Sequence, residues 1–123
     1  DFKDMEVNNK WSMICVAAHK DPQGKLFWIG KVSKILTKKE DIPERIKIMW
    51  YTTEANAETS IDGKYFPEKD NMSNRVLQDD LVLSSTVVYA YNFALLTNNQ
   101  IAAKTKKIIE AAILERGCLS SQD

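Results

Sequence analysis

Apolar residues in this chain fall into short runs parted by polar turns, the pattern of a small β domain. The first run, Trp11-Ser-Met-Ile-Cys-Val-Ala-Ala18, joins β-branched and aromatic residues in rough alternation and predicts a strand after a polar entry. Asp21-Pro-Gln-Gly24 then predicts a tight turn, because Pro presets the backbone angle and Gly relieves steric limits, so the first two strands form a hairpin. Lys25 to Ile35 is the second strand, with Gly30 where a long strand bends or bulges. Lys38 to Glu44 reads as a charged loop. Arg45 to Tyr51 alternates Ile46, Ile48 and Trp50 against Lys47, Met49 and Tyr51.

Beyond Thr52 the chain turns polar, and Asp62-Gly63 predicts a turn before Tyr65-Phe66-Pro67. Val76 to Phe93 predicts one bent strand or two, with breaks at Asp79-Asp80 and Ser84-Ser85, and Phe66 and Phe93 are expected in the core. Thr97-Asn-Asn-Gln100 fits a capping box, and Ile101, Ile108, Ala112 and Ile113 or Leu114 recur at helical spacing until Gly117. The elements predict a mainly β fold: a small, strongly bent, SH3-like antiparallel barrel over about 10–96 with a C-terminal α-helix over about 98–116.

With 123 residues and 44% hydrophobic content, one domain spanning 1–123 is the expectation, and the polar, Met-less start suggests a piece of a larger protein. Seventeen basic and seventeen acidic side chains exert no global pull on nucleic acid or anionic membrane, so electrostatic recognition would need a local patch. Cys15 and Cys118 have no zinc-ligand spacing and fit a reducing compartment. No window approaches the roughly 20 apolar residues of a membrane span, so no membrane partner is expected.

Phe27-Trp-Ile-Gly-Lys-Val-Ser-Lys-Ile35 followed by Ile46-Lys-Ile-Met-Trp-Tyr51 resembles the strand pair of Tudor-like, Royal-family and BAH-type chromatin domains: an aromatic before a small-basic-aliphatic step, then a strand ending in aromatics. The similarity covers roughly residues 11 to 66. It implies a nuclear, non-catalytic module that binds methylated lysine or arginine of a histone tail through an aromatic cage. Aromatic faces attract a methylated ammonium at little desolvation cost, about 2 kcal/mol for one desolvated contact. The resemblance assigns Trp28, Trp50 and Tyr51 to the cage; Trp11, near the start of the first strand, and Tyr65, after the long loop, are candidates for further walls, and Glu54, a few residues beyond Tyr51, is the local candidate for a carboxylate favouring lower methylation states. The competing assignment for each aromatic is core filling, above all for Trp50 on the Ile46 and Ile48 face.

Two other classes fit less of the sequence. Lys31, Lys34, Lys38 and Lys39 with Trp28 for stacking would suit a nucleic acid, although Glu40, Asp41 and Glu44 follow at once. An interaction scaffold would dock other domains or proteins through an exposed strand edge or through the terminal helix, with its stripe Ile108, Ala112 and Ile113. An enzyme is the least supported: His19 is the only histidine, Cys15 sits in an apolar run, and the four glycines are dispersed. Neither a metal nor an organic cofactor is expected.

Overall fold

The computed structural model describes residues 4–17, 27–53, 63–83 and 88–120, without the side chains of 17, 88–91 and 113–120. Among the described residues six strands and one helix follow in the order β1 (Met13–Ala17), β2 (Phe27–Lys39), β3 (Ile42–Thr53), β4 (Tyr65–Pro67), β5 (Gln78–Val82), β6 (Val88–Phe93) and α1 (Ala103–Ser120). They form one antiparallel sheet of order β4-β3-β2-β1-β6, with β5 pairing β3 off that path. The sheet curls into a half-barrel of the SH3-like kind with the helix at its C-terminal end, the fold class that the strand pattern predicts.

Register divides the core between the two faces of the sheet. On the helix side, Met13, Cys15, Phe27, Ile29, Tyr65 and Phe93 pack with Ile101 and Ile109, and Tyr51 and Leu95 lie against them. On the other side Met5, Ile14, Val16, Val32, Ile46, Ile48 and Leu83 form a second cluster joined by Ile35, Trp50 and Leu81. Both faces of β1 are therefore covered, which is why Met13 to Val16 is a continuous buried run. Each fully buried Ile or Val in these clusters contributes about 1.5–3 kcal/mol from apolar surface removed from water.

The curl has identifiable causes. Ser33 and Leu36 are extra residues on β2 opposite β3, and Glu44 is extra on β3. The Ser33 hydroxyl donates to the Lys47 carbonyl at 3.1 Å, which fixes the first of these bulges. Gly30 is not at a bulge: it pairs in continuous register with Trp50 on one side and Ile14 on the other. Its missing side chain is required instead by Ile48, since a Cβ there would lie 2.5 Å from Ile48 Cγ1 and 3.0 Å from the Met49 carbonyl oxygen.

Lys38 to Glu44 is a strand-turn-strand and not a loop, with β2 reaching Lys39 and β3 starting at Ile42. Glu40 and Asp41 make the whole turn at φ 53° and 66°, the left-handed angles of a two-residue hairpin that matches strand twist. Neither is glycine, so Asp41→Gly should raise stability by about 1 kcal/mol, read as a higher urea midpoint at unchanged slope.

Asparagine does much of the local fastening. Asn92, extra in β6 opposite β1 at φ 55°, donates through Nδ2 to the Asp4 carbonyl and accepts from the Glu6 N–H at 3.2 Å. Asn8, at φ 53°, donates its backbone N–H to Val32 O at 3.1 Å and its side chain to Ser33 O at 2.9 Å. The polar entry is thereby a strap that carries Met5 into the second cluster. Asn99, at φ 65°, exchanges bonds with Tyr65: its carbonyl accepts the Tyr65 N–H at 2.9 Å and its Nδ2 donates to the Tyr65 carbonyl at 3.0 Å.

That last contact displaces the expected capping box. Residues 96–100 form a loop closed by the Leu95–Ile101 bridge, and Asn98 and Gln100 bond to each other, so the helix starts at Ala103. It continues through Gly117 to Ser120. Among its described side chains Ile109 is fully buried, while Ile108 is 49% exposed.

Candidate functional site

Trp50 stands where the edge of β3 changes partner. Arg45 to Met49 pair with β5 and Tyr51 to Thr53 with β4, so the backbone of Trp50 lies between the two strands. Its N–H donates to the Leu77 carbonyl at 3.0 Å, and its carbonyl accepts from the Glu68 N–H at 2.8 Å. Residues 68–77 leave the sheet as a small hairpin arm, held by the Lys69–Val76 bridge and by the Asp70 N–H on the Arg75 carbonyl at 2.9 Å. At its tip the Asp70 carboxylate accepts the Ser73 hydroxyl at 2.8 Å and the Met72 N–H at 3.3 Å, bonds that hold its carboxyl below the usual range.

Trp28 reaches this place from β2. Residues 28, 30 and 32 share one face with Ile48 and Trp50, and Gly30 opposite Trp50 leaves the diagonal between the indoles without an intervening side chain. The two rings meet edge to face, centroids 6.0 Å apart and planes at 70°. Asp79, in line with Ile48 on β5, accepts the Trp50 indole N–H on Oδ2 at 2.7 Å, a charge-assisted bond that fixes the ring. Phe66 pairs with Thr52 on this same face and is 44% exposed, and Trp28 is 36% exposed. This face of the sheet thus carries an aromatic corner: an exposed and a half-buried indole with planes at 70°, a carboxylate bonded to the second, and an exposed phenyl on the same face.

This corner contains only part of the expected cage. Trp28 and Trp50 are brought together. Tyr51 and Tyr65 belong to the helix-side cluster, because neighbouring residues of a strand face opposite ways and Tyr65 pairs with Thr53 two steps from Tyr51. Tyr65 is 6% exposed, which reverses the expectation that Tyr65 lines a wall and Phe66 fills the core. Trp11 is 49% exposed beyond the far end of β1 from Val16, the partner of Trp28, with Lys10 Nζ 5.5 Å from its ring centre. Glu54 lies outside the described residues.

The carboxylate bonded to the Trp50 indole is Asp79. Its Asp-Asp sequence suggests a turn, yet both aspartates lie within β5, so only the pairing with β3 shows Asp79 in reach of an indole. Lys31 and Lys34 occupy the face opposite Trp28, which separates the basic residues from the aromatic proposed to stack with them, and Lys38 and Lys39 are exposed at the hairpin end. In the helix stripe Ile108 points outward, and the Ile113 side chain is outside the described residues.

Burial shapes the reactive groups of the helix-side cluster. It raises the Cys15 thiol far above its ordinary value, which leaves little thiolate for nucleophilic chemistry. It also raises Tyr51, and pushes Tyr65 up to about 12 with a smaller contribution from Cys15. Between pH 10 and 12 the unfolded chain gives up the Tyr65 proton while the folded chain keeps it, so stability falls as pH rises through this window. Tyr65→Phe should flatten that fall in urea melts at pH 9 to 12. Among the described residues no group of three or more His, Cys, Asp or Glu side chains could hold a metal ion, and no helix is long and apolar enough to cross a membrane.

No family model, curated protein or solved structure matches the chain.

Proposed function

We propose that the chain is a non-catalytic recognition module whose Trp28–Trp50 corner receives a methylated lysine or arginine side chain of a peptide. The observation that carries this reading is the pair of indoles at 70°, Trp28 exposed and Trp50 half-buried, with Asp79 bonded to Trp50. Perpendicular aromatic faces present negative charge from two directions to a cation that carries apolar methyl groups. A carboxylate beside them adds attraction and can accept a residual ammonium N–H, which favours mono- or dimethylated over trimethylated lysine. The resemblance to Tudor-like, Royal-family and BAH-type domains gives the peptide its proposed source, a histone tail, and the module its proposed place, the nucleus.

Calorimetric titration with one lysine peptide in its four methylation states tests the reading. Mono- or dimethyl-lysine should bind about tenfold tighter than unmodified lysine, a difference of about 1.4 kcal/mol. Asp79→Asn should shift the preference toward trimethyl-lysine. Equal affinity for all four states would exclude the cage.

A further inference from the structure

We infer that the sheet face opposite the aromatic corner is a second binding surface, one that takes the phosphodiester backbone of a nucleic acid. Residues 31–47 carry six basic and three acidic side chains, a surplus of three positive charges in a chain whose total is zero. Register gathers four of the basic ones on one face: Lys31 opposite Met49, Lys34 opposite Lys47, and Arg45 opposite Thr37. Val32, Ile35, Ile46 and Ile48 point the other way into the second cluster, while the basic residues share their face with the helix-side cluster, Lys34 and Arg45 exposed and Lys31 and Lys47 half-buried.

The pairing of Lys34 with Lys47 is the most informative part. Like charges directly across an antiparallel pair destabilise it. The arrangement is also built: the Ser33 bulge sets Lys34 against Lys47, and the Ser33 hydroxyl is bonded to the Lys47 carbonyl. Among the described residues none of Lys31, Lys34, Arg45 and Lys47 has an ion-pair partner, although Asp80 stands beside Lys47 on β5. An anion lying between the two strands would turn this repulsion into attraction.

Geometry and composition favour phosphate groups over an acidic protein. Arg45 and Lys47, two residues apart on one strand, root their side chains about 6.6 Å apart, with Lys34 one strand spacing of about 4.8 Å away, and long basic side chains rooted at that spacing can follow successive anions of an extended backbone. Their neighbours on this face are Thr37, Met49, Gln78, Val82 and one carboxylate, Asp80 opposite Lys47, and the aromatic of this face, Tyr51, lies against the helix-side cluster, which leaves no exposed aromatic anchor of the kind that dominates protein interfaces. Trp28 faces the other side and cannot stack on a base here, so contact would be to backbone and indifferent to sequence.

The test is fluorescence anisotropy with a labelled DNA duplex of about 20 base pairs at several salt concentrations around 0.1 M. Lys34→Gln/Lys47→Gln should weaken binding roughly 50-fold near 0.1 M salt and reduce the slope of log K against log salt by about 1.8, at 0.9 for each phosphate released. The same variant should melt no lower than the parent, because a repulsion has been removed, and Lys34→Arg/Lys47→Arg should retain binding. An unchanged slope in the glutamine variant, or no binding by the parent protein, overturns the inference. Tighter binding of poly-glutamate than of DNA also overturns it, in favour of an acidic protein partner. Trp28→Ala should leave DNA binding unchanged, which separates this surface from the aromatic corner.

Discussion

Gly30→Ala should destabilise the protein by about 2–3 kcal/mol, the cost of forcing an extra carbon into a close-packed core. A Cβ at this position would meet Ile48 at Cδ1 and Cγ1, and the backbone carbonyl oxygen of Met49 at 3.0 Å. Ile48 is fully buried between Val32 and Ile46, so it cannot swing aside without disturbing the second cluster, and the carbonyl belongs to the β2–β3 pairing. The damage extends to the aromatic corner, since Gly30 is the cross-strand partner of Trp50. Urea denaturation checks the magnitude, and the double variant Gly30→Ala/Ile48→Val should recover part of the loss by giving the new methyl group room. A Gly30→Ala protein as stable as the parent would show that the Ile48 side chain does not fill this space.

The second large effect separates the two indoles. Trp50→Ala should cost about 3 kcal/mol of stability, because it empties a half-buried aromatic position, removes the edge-to-face contact and leaves Asp79 without its indole donor. Trp28→Ala should cost less than half of that, since Trp28 is 36% exposed. Both should weaken binding of a methylated-lysine peptide about 30-fold, the equivalent of one desolvated cation–π contact of about 2 kcal/mol. Trp28→Ala is therefore the cleaner probe, with its fold checked by an unchanged set of amide signals. Trp28→Phe should recover part of the affinity, because a smaller aromatic face still attracts a cation.

How far the sequence carries can be judged on these same residues. Met13 to Val16 and Arg45 to Tyr51 are legible as strands because β-branched and aromatic residues suit a pleated, half-buried surface, and the alternation of Ile46, Ile48 and Trp50 gives their shared face directly. Tyr65-Phe66-Pro67 is too short for alternation to say which aromatic goes inward, and the answer comes from the pairing of Tyr65 with Thr53 and the two bonds to Asn99. Gly30 is recognisable as special, but the reason is a side chain from another strand.

Asparagine explains several of the other differences. Asn8, Asn74, Asn92 and Asn99 all adopt left-handed angles, which this residue tolerates better than most. Asn8, Asn74 and Asn99 lie within polar stretches and Asn92 within the run Val76 to Phe93 that reads as strand, yet Asn8, Asn92 and Asn99 are clasps to distant backbone. Thr97 to Gln100 has the spacing of a capping box, and a clasp between Asn99 and Tyr65 takes precedence over it. In the aromatic corner, Trp28 and Trp50 are visible from the aromatic pattern. Asp79 and Phe66 are not, because each enters through the pairing of β3 with a strand remote in sequence.

The central claim is that Trp28 and Trp50 together receive a methylated cationic side chain, and the indole N–H signals of the two residues report on it most directly. In a heteronuclear NMR titration with matched peptides, unmodified and methylated at one lysine, both indole signals should move with the methylated peptide, while the Trp11 indole beyond the far end of β1 stays in place. Shifts that are the same for both peptides, or confined to Trp11 and the basic face, would contradict the account.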